Sequence, residues 1–309
     1  AYRTSAIQPV TIRMAEGVWN MIGSTIDPSR PNHFYPNRSV RLEGGYNANC
    51  SNRSNAPDAT VLTAPVIDIS APLAGAATLH VERITIRDVS RLELVFAEGE
   101  IFLDRVWLDG NSQGKFNSQR LTLRNSLVAY GGTSGVLTGK CAVEYFNHNP
   151  ERIEVEHSTF VRNLGPAALC IIEHTGESLR IASNVFWEND VDIRVDNRNS
   201  YSGAFLGLLF NNLLGSGIVT ETPPLVPPVA TLSGNPQFVG FDDFRLSGTS
   251  PAVNSGRINA NLVAQRDFDG NSRWFGSAPD RGAFESDIGS TATVLTVTNT
   301  NDSGPGSLR

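Results

Sequence analysis

A short phrase recurs down the middle of the chain: two apolar residues one apart, small polar residues, another apolar residue, and often an Asn further on. It reads LTLRNSLV over Leu121–Val128, IEVEHSTF over Ile153–Phe160 with Asn163 beyond, and LRIASNVF over Leu179–Phe186 with Asn189 beyond. Weaker copies are LHVERITI over Leu79–Ile86, IFLDRVWL over Ile101–Leu108 with Asn111, and LFNNLL over Leu209–Leu214, in a copy that starts at Gly207. A unit of 20 to 30 residues repeated this often cannot bury its apolar side alone. It must stack on its neighbours.

Alternation with period two makes each phrase a strand that shows one face to a core. Between copies there is Gly, Asn, Asp and Ser punctuation and no helical stripe, so no crossover helix is available. Parallel strands recurring without helices predict an all-β fold, a parallel β-helix solenoid. The phrase places Asn125, His157, Ser183 and Asn211 in one column and Ser126, Ser158, Asn184 and Asn212 in the next. Asn111, Asn163 and Asn189 form another. Small polar side chains stacked at bends satisfy backbone groups that a bend would strand.

Residues 1–221 read as the entrance and the coils. A Pro-rich connector at 222–228 then leads into a loop-rich stretch, to about 288, expected to cap the open end of the helix, since such an end exposes a strand edge. With 28 Gly, 17 Pro, only 18% charged residues and Lys at 115 and 140 alone, the composition suits an extracellular surface. Net charge is −6 and the basic residues are scattered, which argues against a nucleic-acid partner. No apolar run approaches membrane-spanning length. The chain opens on Ala, and a mature or cut form of a longer product is expected. Cys141 and Cys170 lie about one coil apart. Either a disulfide or two buried neighbouring thiols fits that spacing, and Cys50 stands apart.

The chain resembles bacterial right-handed parallel β-helix proteins of the choice-of-anchor Q type. The resemblance covers roughly residues 10–286 and rests on the entrance run EGGYN (Glu43–Asn47), the Asn-Ser coils and an ordered closing set. That set is NPQFV from Asn235, FRL from Phe244, SPAVNSG from Ser250, DGN from Asp269 and DRGAFE over Asp280–Glu285. Such proteins usually have Asp where Asn235 stands. The resemblance implies a right-handed coil and an exported, surface-displayed protein within a longer chain. The tail 289–309 resembles the start of a further module. It implies no single activity, because function does not travel with a fold.

Three carboxylates are the catalytic candidates: Glu144, Glu173 and Asp196 end similar strand phrases 29 and 23 residues apart, so that one outer face would gather them. Clustered carboxylates raise one another's pKa or recruit Ca²⁺. His174 beside them would supply an acid or base and Arg194 an anion clamp; no Lys flanks the column. This is the constellation of a polysaccharide lyase or glycoside hydrolase, with Ca²⁺ as the possible cofactor. Its ordinary alternative is a solvated strand face. Glu82, Asp104, Arg124 and Glu156 form a second outer column, read as cross-strand ion pairs. Trp107 and Trp187 are candidates for stacking on sugars, or for a buried rim. The DFDGN run at Asp267 resembles a calcium-loop start, but Ala278 stands where the twelfth-position Glu belongs. The functional expectation is adhesion or contact with a polysaccharide or cell-surface glycan without catalysis, and a carbohydrate-active enzyme is the alternative.

Overall fold

The computed structural model describes residues 10–20, 33–34, 39–54, 56–70, 77–133, 139–147, 150–172, 179–196, 207–220, 228–258 and 265–287. Their regular elements are all strands apart from one three-residue 3-10 turn at Pro57–Ala59. Every named strand pairs in parallel, in a 14-stranded sheet and a nine-stranded sheet. The fold is all-β and parallel.

The larger sheet contains two strand stacks side by side, joined where Arg91–Asp104 and Gly114–Arg124 run through both. In the first stack Val10, Val40, Leu79, Ile101, Leu121, Ile153, Leu179 and Gly207 pair one on the next. The last six are the starts of the recurring phrase. The second stack includes Val66–Ser70, Val143–Phe146, Leu169–Ile172 and Ile193–Asp196. The nine-stranded sheet is the third stack, with Thr85–Arg87, Trp107–Asp109, Leu127–Ala129, Thr159–Val161 and Val185–Trp187 in register. Along the chain the order is first, third, second, then first again. Apolar residues of all three stacks meet in one core, in which Phe160 and Phe186 stack with centroids 4.6 Å apart.

Both corners flanking the third stack use left-handed backbone. Arg83, Arg105, Asn125, His157, Ser183 and Asn211 leave the first stack at φ of 47–57°. Asp88, Gly110, Tyr130, Arg162 and Glu188 leave the third stack at φ of 53–64°. A left-handed non-Gly residue costs roughly 1–2 kcal/mol and needs its surroundings to hold it. The residue after each bend does so. Val106 N–H donates to Ser126 Oγ, Ser126 N–H to Ser158 Oγ, Ser158 N–H to Asn184 Oδ1, and Asn184 N–H to Asn212 Oδ1. At the other corner Val89 N–H donates to Asn111, Gly131 N–H to Asn163 and Asn163 N–H to Asn189. Two of the three polar columns read from the sequence, those of Ser126 and of Asn111, are hydrogen-bonded ladders.

The described residues of the closing segment begin on the end strands, where the cap was expected: Val229 bridges Phe210 in parallel and Leu232–Ser233 pairs with Leu213–Leu214. Those from Phe238 onward run along the outer face of the third stack. Leu127, Ala129 and Val161 have their side chains turned away from the main core and pack with Phe244, Phe268, Ala283 and Phe284. An apolar outer face on a sheet needs a cover, and this segment supplies it. Gly282 allows the close approach: a Cβ there would sit 2.7 Å from Thr159 Oγ1, and its φ is +92°. Its N–H donates to Ser183 O, and the next N–H, of Ala283, to Thr159 Oγ1. Arg273 is fully buried and donates to Asn125 Oδ1, Gly282 O and Ala283 O, tying segment to corner. The tail 289–309 and the connector 222–227 lie outside the described residues.

Candidate functional site

The two described members of the expected carboxylate column do not align. Register pairs Glu144 with Cys170 and Cys170 with Arg194, while Asp196 pairs with Ile172. Glu144 and Asp196 therefore stand two residues apart along the strand direction. Aligning the two Cys would set Val143 opposite Ile172, three residues from its true partner Leu169. An odd slip exchanges the two faces of a strand and would turn Ile171, which is fully buried, outward. Glu173 and His174 lie outside the described residues. Glu144 faces Lys115 at 3.9 Å and accepts from Gln113 Nε2 at 3.2 Å, so a Lys does flank this column. Arg194 is half-buried and Asp196 buried. Among the described residues no three His, Cys, Asp or Glu side chains gather to hold a metal ion, so the Ca²⁺ site expected at Glu144, Glu173 and Asp196 is not formed by the two that are described.

Cys141 and Cys170 form a disulfide across Cα atoms 6.1 Å apart, and Cys50 is free. Trp107 and Trp187 are half-buried under the closing segment. Trp107 meets Phe268 edge-on at 6.4 Å and has Arg87 over its ring at 5.5 Å. Both indoles pack against apolar side chains of the closing segment. His157 is buried, with Nδ1–H donating to Asp280 O; burial first, then Arg273, pushes its pKa well below the ordinary value. Asp267 accepts Asn271 N–H, Asn271 Nδ2 and Glu285 N–H, and its carboxylate holds a turn rather than opening a calcium loop.

The outer face of the first stack carries the densest polar constellation. Glu82, Asp104, Arg124 and Glu156 pair successively, so that two carboxylates stand opposite each other before Arg124 and Glu156 alternate in sign. Beside it runs Arg41, His80, Phe102, Thr122, Glu154 and Arg180. Left-handed geometry at Arg83 and Arg105 brings their side chains back onto this face. Glu82, 5% exposed, accepts from Arg41 at 2.8 Å, Arg53 at 3.3 Å and Arg105, with Arg83 at 3.6 Å. Asp104 takes Asn125 Nδ2 at 2.9 Å and Arg124 at 3.3 Å. Burial, then Arg105 and Arg53, lowers the Arg83 pKa to about 10. Burial, then Arg41, lowers His80 to about 4, so the neutral ring accepts from Arg41 Nη1 at 3.2 Å. Burial opposes ionisation of Glu43, yet the Tyr46 hydroxyl and Arg41 hold it below the usual carboxylate range. Phe102 lies between the His80 ring, centroids 4.4 Å apart, and the Arg124 guanidinium, 4.6 Å from its centroid. Further along, Arg180 covers Phe210 at 5.4 Å.

Sequence reasoning found the Glu82 column but missed its surroundings. Arg83 and Arg105 carry no turn-residue signal, and Arg53 comes from a loop 29 residues away. No protein-family model matches this chain, and no curated protein matches it either.

Proposed function

We propose that the three stacks are the faces of a right-handed parallel β-helix, and that this rod is an exported module contacting a carbohydrate polymer without catalysis. The polymer lies along the outer face of the first stack. The observation that carries this is the row from Arg41 through His80, Phe102, Thr122 and Glu154 to Arg180. Side chains there recur at the spacing of adjacent strands, about 4.8 Å, around an aromatic platform held by His80 and Arg124. An aromatic ring bordered by fixed guanidinium and carboxylate groups suits sugar rings and their hydroxyls. The Cys141–Cys170 bridge supports an oxidising, extracellular setting, where disulfides persist.

Retention on columns of immobilised glycans tests the reading. The wild-type chain is retained on at least one glycan, and Phe102→Ala and Arg180→Ala each weaken retention severalfold while the circular dichroism spectrum is unchanged. Equal elution of all three on every column refutes it. Incubation with uronate polymers, read by absorbance of the unsaturated product, tests for lyase activity, and release of such product overturns the non-catalytic reading.

A further inference from the structure

The closing segment holds a cleft of about 530 Å³ that neither the strand face nor the ladders use. Leu246, Phe275 and the exposed Val239 supply apolar wall, and Asn271, Ser272 and Ser286 supply amide and hydroxyl groups. Asp269 and Arg245 line it as a closed bidentate pair at 2.7 and 3.0 Å, so neither brings free charge. Glu285 lines the same cleft with its side chain 1% exposed. Its Oε2 accepts Asp280 N–H at 3.1 Å and faces Arg273 Nη1 at 3.4 Å. Its Oε1 is buried without a hydrogen-bond partner of normal geometry. A buried polar atom without a partner costs roughly 1–3 kcal/mol, and a ligand group that meets it removes that cost.

We propose that this cleft binds one neutral sugar residue, with Glu285 Oε1 donating to a ring hydroxyl and the Asp269–Arg245 pair, Asn271 and Ser272 meeting others. Mixed donors and acceptors with an apolar wall and no free charge on the floor select a hydroxyl-rich, uncharged ligand over an anion or a metal ion. The proton on Glu285 is part of the site. Burial raises its pKa to about 8, against the opposing charge of Arg273 and the N–H groups of Asp280 and Phe275, and with the Asp280 carboxylate adding to the rise. Asp267 Oδ2 accepts its backbone N–H, and Asp287 stands at the exposed rim. Below about pH 8 Oε1 carries the hydrogen it donates. At pH 9 about one molecule in ten retains it, so apparent affinity falls about tenfold.

Saturation-transfer NMR with a panel of neutral methyl pyranosides, on the whole chain at pH 7 and pH 9, tests this. Expected are transfer at pH 7, about tenfold weaker binding at pH 9, and equal binding at both pH values for Glu285→Gln, whose amide keeps a donor. Val239→Trp, at an exposed rim position, closes the mouth and removes the signal. Phe102→Ala leaves it intact, which separates this site from the polymer face. Silence of the whole panel with folded wild-type protein, a pH-independent wild type, or full binding by Val239→Trp overturns the proposal.

Discussion

Asn184 is the side chain on which the corner ladder can be measured. It is fully buried; its Oδ1 accepts Ser158 N–H at 2.9 Å, and its Nδ2 donates to Val155 O at 2.8 Å and Asn212 Oδ1 at 3.0 Å. Asn184→Ala orphans the Ser158 N–H, at about 1–3 kcal/mol, and removes two donated bonds worth about 0.5–1.5 kcal/mol each. The sum is about 2–6 kcal/mol, centred near 4. Asn184→Ser keeps the acceptor, because Ser126 and Ser158 do the same work one and two places earlier in this column. It forfeits only the donated bonds, at about 1–3 kcal/mol. Urea unfolding followed by circular dichroism reads the difference as a shift in midpoint at constant slope. Ala is expected to cost about 2 kcal/mol more than Ser. Equal costs for the two variants would mean that the ladder does not satisfy the bend, and the account of the left-handed corners would fall with it.

Three further outcomes follow from the same geometry. Thiol titration of the unfolded, unreduced chain should find one reactive Cys, and reduction should cost about 3–4 kcal/mol from the 29-residue separation of Cys141 and Cys170, with Cys50→Ser as a neutral control; three reactive thiols would refute the bridge. Arg273→Met leaves the oxygens of Gly282, Ala283 and Asn125 without their donor, at about 2–4 kcal/mol, and limited proteolysis should then cut within 265–287 first; an unchanged digestion pattern would deny Arg273 its anchoring role. His157 is held neutral when folded but takes a proton near pH 6.5 when unfolded, so its contribution is whole above that pH and falls by about 1.4 kcal/mol per unit below it. His157→Asn, the residue type found at Asn125 and Asn211 of the same corner, should therefore move the acid-unfolding midpoint to lower pH.

How far the chain could be read without coordinates depends on which property of a residue was being asked for. The phrase starts at 79, 101, 121, 153, 179 and 207 pair in register because apolar alternation and small polar corner residues mark the phase of each copy twice over. In the second stack Cys141-Ala142-Val143-Glu144 and Cys170-Ile171-Ile172-Glu173 look alike but have no corner mark, so nothing in the phrase fixes the slip, and the carboxylate face dissolved with it. Of the two alternatives the Cys spacing left open the disulfide is the one formed, yet Cys141 reaches Cys170 from before its strand instead of standing opposite it, so the bridge does not mark the register. Corner residues were legible only where their chemistry advertises a bend. Asn125 and Asn211 did so; Arg83, Arg105, Tyr130, Arg162 and Glu188 adopt the same left-handed geometry because their neighbours impose it. That imposed geometry swings Arg83 and Arg105 onto Glu82 and Arg162 onto the ring of Phe241, at 3.7 Å. The corners thus decide which side chains reach the strand face and which grip the closing segment. The sequence writes the ladder that enforces each bend and leaves unwritten the long side chains that exploit it.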